Sequence, residues 1–271
     1  MSGGTAQAYL EKNQVQLYLA DVLAKLAEVR HERPLEYIAD YFAQVAHGRH
    51  VVGREFDFVD GTAHNRRSFI ALLSASLEAL DETTELPGHE YLLLAQLICP
   101  DFPELVVTQV VKLLGDYDAS GGGAIAPATF MAAFRVYYFF SEFWKDAAQI
   151  FHICDQAKSG LLNRQVYYLA LKEIASETRM NGILPPVDVV HDVLVPDRAA
   201  SKASITFQDF FLAMAHSPAI PPAIEALCGP LMAPLDISTP LLLPGIAGGQ
   251  AATSSAAVSR PATSSKRRTR R

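Results

Sequence analysis

Residues 6–46 read AQAYLEKNQVQLYLADVLAKLAEVRHERPLEYIADYFAQVA, and the spacing of their apolar residues predicts two short amphipathic helices. In the first half these residues recur every three or four positions, which places them on one helical face: Val15, Leu19, Val22, Leu26 and Val29. Pro34 then stands in the first turn of a second helix, where proline is tolerated best. That helix carries its own apolar face, formed by Leu35, Ile38, Phe42 and Val45, and we expect Gly48 to end it.

A hairpin of two short amphipathic helices cannot bury its apolar faces alone, so it needs a second copy or another domain. We therefore expect it to bind a partner through Leu19, Leu26, Ile38 and Phe42. The sequence leaves open whether the hairpin forms a homodimer, pairs with the hairpin of a related chain, or packs on the body of its own chain.

The composition predicts a globular protein with a sizeable core. Of the 271 residues, 50% are hydrophobic and 19% are charged, enough for one large domain or two small ones. The start lacks the basic-then-apolar pattern of a signal peptide, and we expect no secretory leader and no membrane-spanning helix. Three widely spaced cysteines, Cys99, Cys154 and Cys228, favour reduced thiols in an intracellular protein.

The charge is divided between an acidic body and a basic tail. Six Lys or Arg and one Asp between Asp236 and Arg271 give the tail a net charge of +5, and the total is −6, so residues 1–235 carry −11. Nucleic-acid-binding domains carry their basic charge on the folded part, so we expect no nucleic-acid partner. The basic residues could contact acidic tubulin tails, act as a nuclear-localisation signal or aid solubility: Lys266, Arg267, Arg268, Arg270 and Arg271.

From about residue 104 to residue 217 the chain repeats a helix–loop–helix unit that resembles an EF-hand. The two clearest loops run from Asp118 to Thr129 and from Asp155 to Val166. Each has a glycine at the sixth position, where the turn requires positive φ, and an aliphatic residue at the eighth. These residues are Gly123 and Ile125 in the first loop and Gly160 and Leu162 in the second, and we expect the two loops to pair through Ile125 and Leu162. A third, poorer unit surrounds Ile205.

The loops lack the ligands that calcium needs. A calcium loop supplies six to eight oxygens, including a bidentate carboxylate at its twelfth position. Thr129 and Val166 stand there instead, so we expect metal-free loops that are retained for their shape.

The sequence carries no recognisable catalytic motif, and we expect no catalytic residue and no cofactor. Gly121–Gly123 lacks the Lys-Ser/Thr of a phosphate-binding loop. We interpret His47 and His50 as solvated loop residues. The polar run His64–Arg67 could bind an anion at a helix start, or could serve in capping and surface charge, with Asn65 as a candidate N-cap.

The predicted fold is all-α, with five segments along the chain. A docking/dimerisation-like hairpin occupies residues 6–48 and a linker residues 49–63, within which 54–59 could form a short strand or an extended stretch. A helical, degenerate EF-hand-like domain covers residues 64–217, with the aromatic run 137–144 as core or, alternatively, a partner groove. A Pro-rich segment with one short helix covers residues 218–235, and a disordered basic tail covers residues 236–271.

Two resemblances give this pattern a biological context. The Pro34-Leu35 start and the Tyr41-Phe42 end of the second helix resemble the docking and dimerisation fold of type-II regulatory subunits of the cAMP-dependent kinase. Four longer runs resemble the family of centriolar satellite-associated tubulin polyglutamylase complex regulators, over about residues 9–145. They are REFDFV from Arg54, HNRRSF from His64, LICPDFP from Leu97 and YYFFSEF from Tyr137. Subunit one of the same polyglutamylase complex has a similar hairpin, so its family is the nearest alternative to this resemblance.

The second resemblance implies a non-enzymatic regulator or scaffold of the complex that adds glutamates to tubulin tails. It implies as partners the subunits of that complex and tubulin or microtubules. It also implies a cytoplasmic, cytoskeletal location at centriolar satellites, the centrosome, basal bodies or cilia. The alternatives are a calcium-responsive EF-hand adaptor of axonemal or kinase-anchoring type, and an enzyme of unrecognised type.

Overall fold

The computed structural model describes residues 10, 14–80, 84–115, 123–176, 182–195 and 203–228, with side chains in the 123–176 stretch only as far as residue 173. The chain divides into two units, Met1–Thr239 and Pro240–Arg271, and every described residue belongs to the first. The predicted tail 236–271, with Lys266, Arg267, Arg268, Arg270 and Arg271, lies outside the described residues.

Helices dominate the described part of the chain, which confirms the predicted all-α class. Twelve are present there: α1 Val15–Val29, α2 Pro34–Ala46, α3 Phe56–Asp60, α4 Ala63–Glu78, α5 Gly88–Ile98, α6 Glu104–Leu114, α7 Pro127–Phe139, α8 Ser141–Cys154, α9 Arg164–Ser176, α10 Val187–Leu194, α11 Phe207–Ala215 and α12 Ile220–Cys228. None of the helices in these stretches is long and apolar enough to cross a membrane.

Local sequence signals explain several of the helix ends. Pro34 opens α2 as predicted, and Gly48, at φ +70°, follows its end. Asn65 is not the N-cap of α4. The side chain of Thr62 accepts the Asn65 N–H instead, so the helix begins three residues earlier than an N-cap at Asn65 indicated.

Short strands join the helix–loop–helix units in two pairs. β1 (Leu86–Pro87) lies antiparallel to β2 (Ala124–Ile125), and β3 (Leu162–Asn163) lies antiparallel to β4 (Ser204–Ile205). Leu86 therefore faces Ile125 and Leu162 faces Ile205, so the predicted pairing of Ile125 with Leu162 is wrong. Sequence reasoning missed the unit around Leu86 because its sixth loop position, counted from Leu86 as the eighth, is Thr84 and not glycine.

Residues 49–63 pack closely against the body. Residues 56–60 form α3, so the expected strand or extended stretch is wrong. Val51 and Val59 are fully buried, and the Gly53 N–H donates to the Ile98 carbonyl at 2.7 Å. The segment between the hairpin and α4 therefore contributes to the core.

The aromatic run at the end of α7 and the start of α8 forms the centre of the core. Tyr138, Phe139, Phe140 and Trp144 are all at most 2% exposed, and the Trp144 indole N–H donates to a backbone carbonyl at 3.0 Å. The core interpretation of this run is confirmed, and the alternative of an open partner groove is wrong.

A buried arginine on α4 ties distant parts of the body together. The Arg66 guanidinium contacts Asp60 at 3.0 Å and donates to both carboxylate oxygens of Glu142, at 2.7 and 2.5 Å. It also donates to the Phe139 carbonyl at 3.2 Å. Because its side chain is only 6% exposed, these partners supply the hydrogen bonds that water cannot.

Candidate functional site

The hairpin folds back on its own chain. The cluster beneath it consists of Tyr18 and Val22 from α1 and Tyr41 and Val45 from α2, all at most 6% exposed. Leu17, Tyr37, Ile38, Phe42 and, from α3, Phe58 pack around this cluster. Of the three possibilities that the sequence left open, packing on the body of the same chain is therefore present in the structure.

Tyr18 connects α1 to the start of α4. Its hydroxyl donates to Asn65 Oδ1 at 2.7 Å and lies 3.2 Å from Thr62 Oγ1. Burial raises the pKa of Tyr18 to about 12, so the hydroxyl keeps its proton and remains a donor near neutral pH.

Two stacked histidines extend this polar junction. The rings of His50 and His64 lie 5.0 Å apart. His50 Nε2 lies 2.7 Å from Asn65 Oδ1, and His64 Nε2 lies 2.7 Å from the Val45 carbonyl of α2; both nitrogens face acceptors and act as donors. Burial lowers the pKa of His50 to about 4 and lowers the pKa of His64, so both rings are neutral near pH 7. The expectation of a solvated His50 is wrong, because this side chain is buried. His64 Nε2 and Asn65 Oδ1 hold the hairpin through Val45 and Tyr18.

An ion pair closes the other side of the junction. Arg54 donates to both carboxylate oxygens of Asp21, at 2.9 and 2.6 Å, and Tyr41 donates to the same carboxylate at 2.6 Å. Burial pushes the pKa of Asp21 upward, but the hydrogen bonds from Arg54 and Tyr41 outweigh it, so the pKa is lowered. The guanidinium also stacks 3.6 Å from the ring centre of Phe58, and this contact further orients the pair.

The outer face of α1 carries a stripe of leucines. Leu19 is 41% exposed, Leu23 is 57% exposed and Leu26 is half-buried. Their spacing of four and three residues places them in one row about 10 Å long. At the start of α2, Leu35 is 79% exposed. Exposed leucines in a row are typical of surfaces that bind another protein.

The structure separates the four side chains predicted for partner binding into two groups. Leu19 and Leu26 lie on the outer stripe, whereas Ile38 and Phe42 pack against the buried cluster. Leu23 was missed, although its position four residues after Leu19 was a usable signal. Arg54 was also missed, because its contact with Asp21 joins residues 33 positions apart and leaves no local pattern.

The second EF-type loop closes on its own backbone. Asp155 accepts the Ser159 N–H at 2.9 Å and the Gly160 N–H at 2.7 Å, and the Ser159 bond is the main cause of its lowered pKa. At the twelfth position Val166 is 55% exposed. The first loop lies partly outside the described residues. Across the residues that the structure describes, no group of three or more His, Cys, Asp or Glu could hold a metal ion.

The architecture is that of a helical, EF-hand-like protein with an N-terminal hairpin docked on its body. No family model and no solved structure matches the chain. Curated relatives match, and those found share one name, centriolar satellite-associated tubulin polyglutamylase complex regulator 1.

The matching proteins come from several vertebrates. The Danio rerio protein is 31% identical over 152 residues, which are 54% of this chain and 46% of the relative. The Homo sapiens protein is 32% identical over 148 residues, 53% of this chain and 44% of the relative. The Bos taurus protein is 25% identical over 250 residues, 81% of this chain and 74% of the relative.

The chain is a homologue of these regulators, and the resemblance inferred from its sequence is confirmed. The match spans about half the length of the Danio rerio and Homo sapiens relatives.

Proposed function

We propose that this chain is a non-enzymatic regulator of a tubulin polyglutamylase complex and acts as a scaffold for its subunits at centriolar satellites, the centrosome, basal bodies or cilia. The name shared by its relatives supports a regulatory role, in the cytoplasm and on the cytoskeleton. Regulation of a multi-subunit enzyme by a chain without catalytic motifs requires a surface that binds the subunits.

The leucine stripe of α1 is our candidate for that surface, and the exposure of Leu19 and Leu23 is the observation that carries the proposal. These side chains remain available while the inner face of the hairpin is held by its buried cluster and by the Asp21–Arg54 pair. Ile38 and Phe42 then act indirectly, because they support the hairpin from below. Burying two or three leucines contributes about 1.5–3 kcal/mol each, enough to anchor a helix-sized partner.

The test is co-purification of the full chain with tubulin polyglutamylase subunits, with tubulin glutamylation measured in the same cells. Leu19→Asp with Leu23→Asp is expected to abolish association and change glutamylation. Val166→Asp is the matched control, since Val166 is equally exposed but lies on the second EF-type loop. The hairpin role fails if the double variant recovers the subunits as well as the control does. The whole function fails if the intact chain never recovers them.

The basic residues of the tail form a second, electrostatic part of the proposal. Lys266, Arg267, Arg268, Arg270 and Arg271 would contact the acidic tails of tubulin, and each contact would be weak and sensitive to salt. Microtubule co-sedimentation at low and high salt tests this contact, with all five residues replaced by glutamine as the variant. Unchanged binding after that replacement would favour a localisation or solubility role for the tail.

A calcium-responsive adaptor is the competing function. The carboxylate of Asp155 already accepts two backbone N–H groups of its loop, and a cation would have to replace both bonds. Calorimetry with calcium decides between the two functions, because binding tighter than about 10⁻⁴ M would support a sensor.

A further inference from the structure

Two adjoining clefts run along one side of α4. The first has a volume of about 310 Å³ and lies between α4, α7 and α12. The second has a volume of about 620 Å³ and continues along α4 toward Leu80. Ser74, Glu78 and Arg135 line both, so the clefts form one groove with an apolar floor that includes Ile70, Leu77 and Met131.

The groove begins beside the helix from which the C-terminal segment departs. Pro221 and Ile224 of α12 form one wall of the first cleft. Glu225 pairs with Arg67 near the start of α4, and the Cys228 thiol lies 3.5 Å from the Ala63 carbonyl. Helices α4 and α12 are therefore antiparallel, and the chain leaves α12 at the N-terminal end of α4.

The next residues, Gly229–Thr239, read GPLMAPLDIST and lie outside the described residues. Four of them are large and apolar: Leu231, Met232, Leu235 and Ile237. Residues with this apolar content gain free energy when an apolar surface covers them. Fully extended, this segment could reach about 36 Å, whereas α4, from Ala63 to Glu78, is about 24 Å long. The segment is therefore long enough to follow the groove.

The charges of the groove and of the segment are complementary. Glu225 is neutralised by Arg67. Arg135 lines both clefts, and it forms no hydrogen bond or ion pair with another residue that the structure describes. Asp236 is the only charged residue between Cys228 and Arg260, and it lies between two of the apolar side chains. The Glu78 carboxylate, which also lines both clefts, accepts a hydrogen bond from Ser74 at 3.3 Å. Arg135 is thus the cation of the groove that has no partner among the described residues, and a single carboxylate among apolar neighbours complements it.

We propose that Gly229–Thr239 occupies this groove in the same chain, with Leu235 and Ile237 on the apolar floor and Asp236 beside Arg135. An external partner that uses the groove would then have to displace the segment. This inference is independent of the hairpin, so it survives if the leucine stripe binds nothing.

Photocrosslinking of the full chain tests the occupancy. Benzoylphenylalanine is placed at Ala128, an exposed position that lines the second cleft away from α12. After irradiation, tandem mass spectrometry is expected to find crosslinks from position 128 to residues 229–239 within a single chain. The same group at Val166 is the matched control and is expected to give none. Crosslinks to a second copy or to another protein, or no crosslink to this segment, would overturn the proposal.

Charge exchange tests the pairing. Arg135→Glu alone and Asp236→Arg alone are each expected to lower the crosslink yield about tenfold, and the two together are expected to restore it to within about twofold. A double variant as low as the single variants would overturn the Arg135–Asp236 contact. Unchanged circular dichroism and thermal unfolding of each variant show that a lower yield does not come from unfolding.

Discussion

Replacing Arg66 by methionine should destabilise the protein more than any other single charge removal on α4. Methionine keeps most of the apolar stem but removes the guanidinium that contacts Asp60 and Glu142. The carboxylates of these two residues, 28% and 29% exposed, would then face each other across a gap without a cation.

The expected cost follows from this burial. Breaking a buried ion pair by removing one partner costs about 3–5 kcal/mol. The lower end of that range applies here because water reaches both carboxylates, so we expect the free energy of unfolding to fall by about 3 kcal/mol. Burial raises the pKa of Asp60, and the hydrogen bond from Arg66 is the main reason that the pKa of Glu142 is lowered, so without the guanidinium both carboxyls should bind a proton at a higher pH. The effect should therefore shrink as the pH falls into the acidic range, because protonation of Asp60 and Glu142 removes their repulsion.

Urea denaturation followed by circular dichroism measures this difference, with Arg67→Met as the control on the adjacent residue. Arg67 pairs with Glu225, which is 55% exposed, so the control should cost less than about 1 kcal/mol. Equal costs for the two variants, or a cost for Arg66→Met that does not depend on pH, would contradict the reasoning.

Three further predictions concern the junction and one turn. Burial lowers the pKa of His50 from 6.5 to about 4, so the contribution of the neutral ring to stability is fully present above pH 6.5 and is lost as the pH falls toward 4. Thermal unfolding across that window should show that the free energy of unfolding falls by roughly 3 kcal/mol, and His50→Gln should not show this fall. A double-mutant cycle with Asp21→Asn and Arg54→Met should give a coupling energy of about 1–2 kcal/mol, and a value near zero would show that the pair does not hold the hairpin. Gly115→Ala should cost about as much as Gly53→Ala in urea denaturation, because both have positive φ and the close contact of a new Cβ at Gly115, 2.6 Å to Gln208 Nε2, is with the far end of a flexible side chain that can move aside; a clearly larger cost at Gly115 would show that Gln208 is held in place.

The sequence was sufficient to predict those elements that are marked by a pattern of neighbouring residues. The three- and four-residue spacing located α1 and α2, and Pro34 and Gly48 marked the boundaries of α2. Leu162 was recognised as a strand residue because the glycine two positions earlier identified its loop.

Long-range pairing could not be read in the same way. Nothing near Leu86 marks it as the partner of Ile125, and nothing near Arg66 indicates Glu142, which is 76 positions away. Sequence reasoning also placed Leu19 and Val22 on one face of α1, although Val22 is buried and Leu19 is exposed. Only the position of the body determines which of them is buried.

The buried junction also decides how the hairpin can associate. In the docking and dimerisation fold that it resembles, two hairpins form one four-helix bundle. Here the face formed by Tyr18, Val22 and Val45 is covered by the chain itself. Exposing this face would break the Tyr18–Asn65 hydrogen bond, which contributes about 1 kcal/mol, and the charged Asp21–Arg54 contacts, which contribute about 1.5–3 kcal/mol. It would also expose the buried apolar area. A partner that binds the outer stripe incurs none of this cost, so we expect partners to use Leu19 and Leu23 and to leave the junction closed.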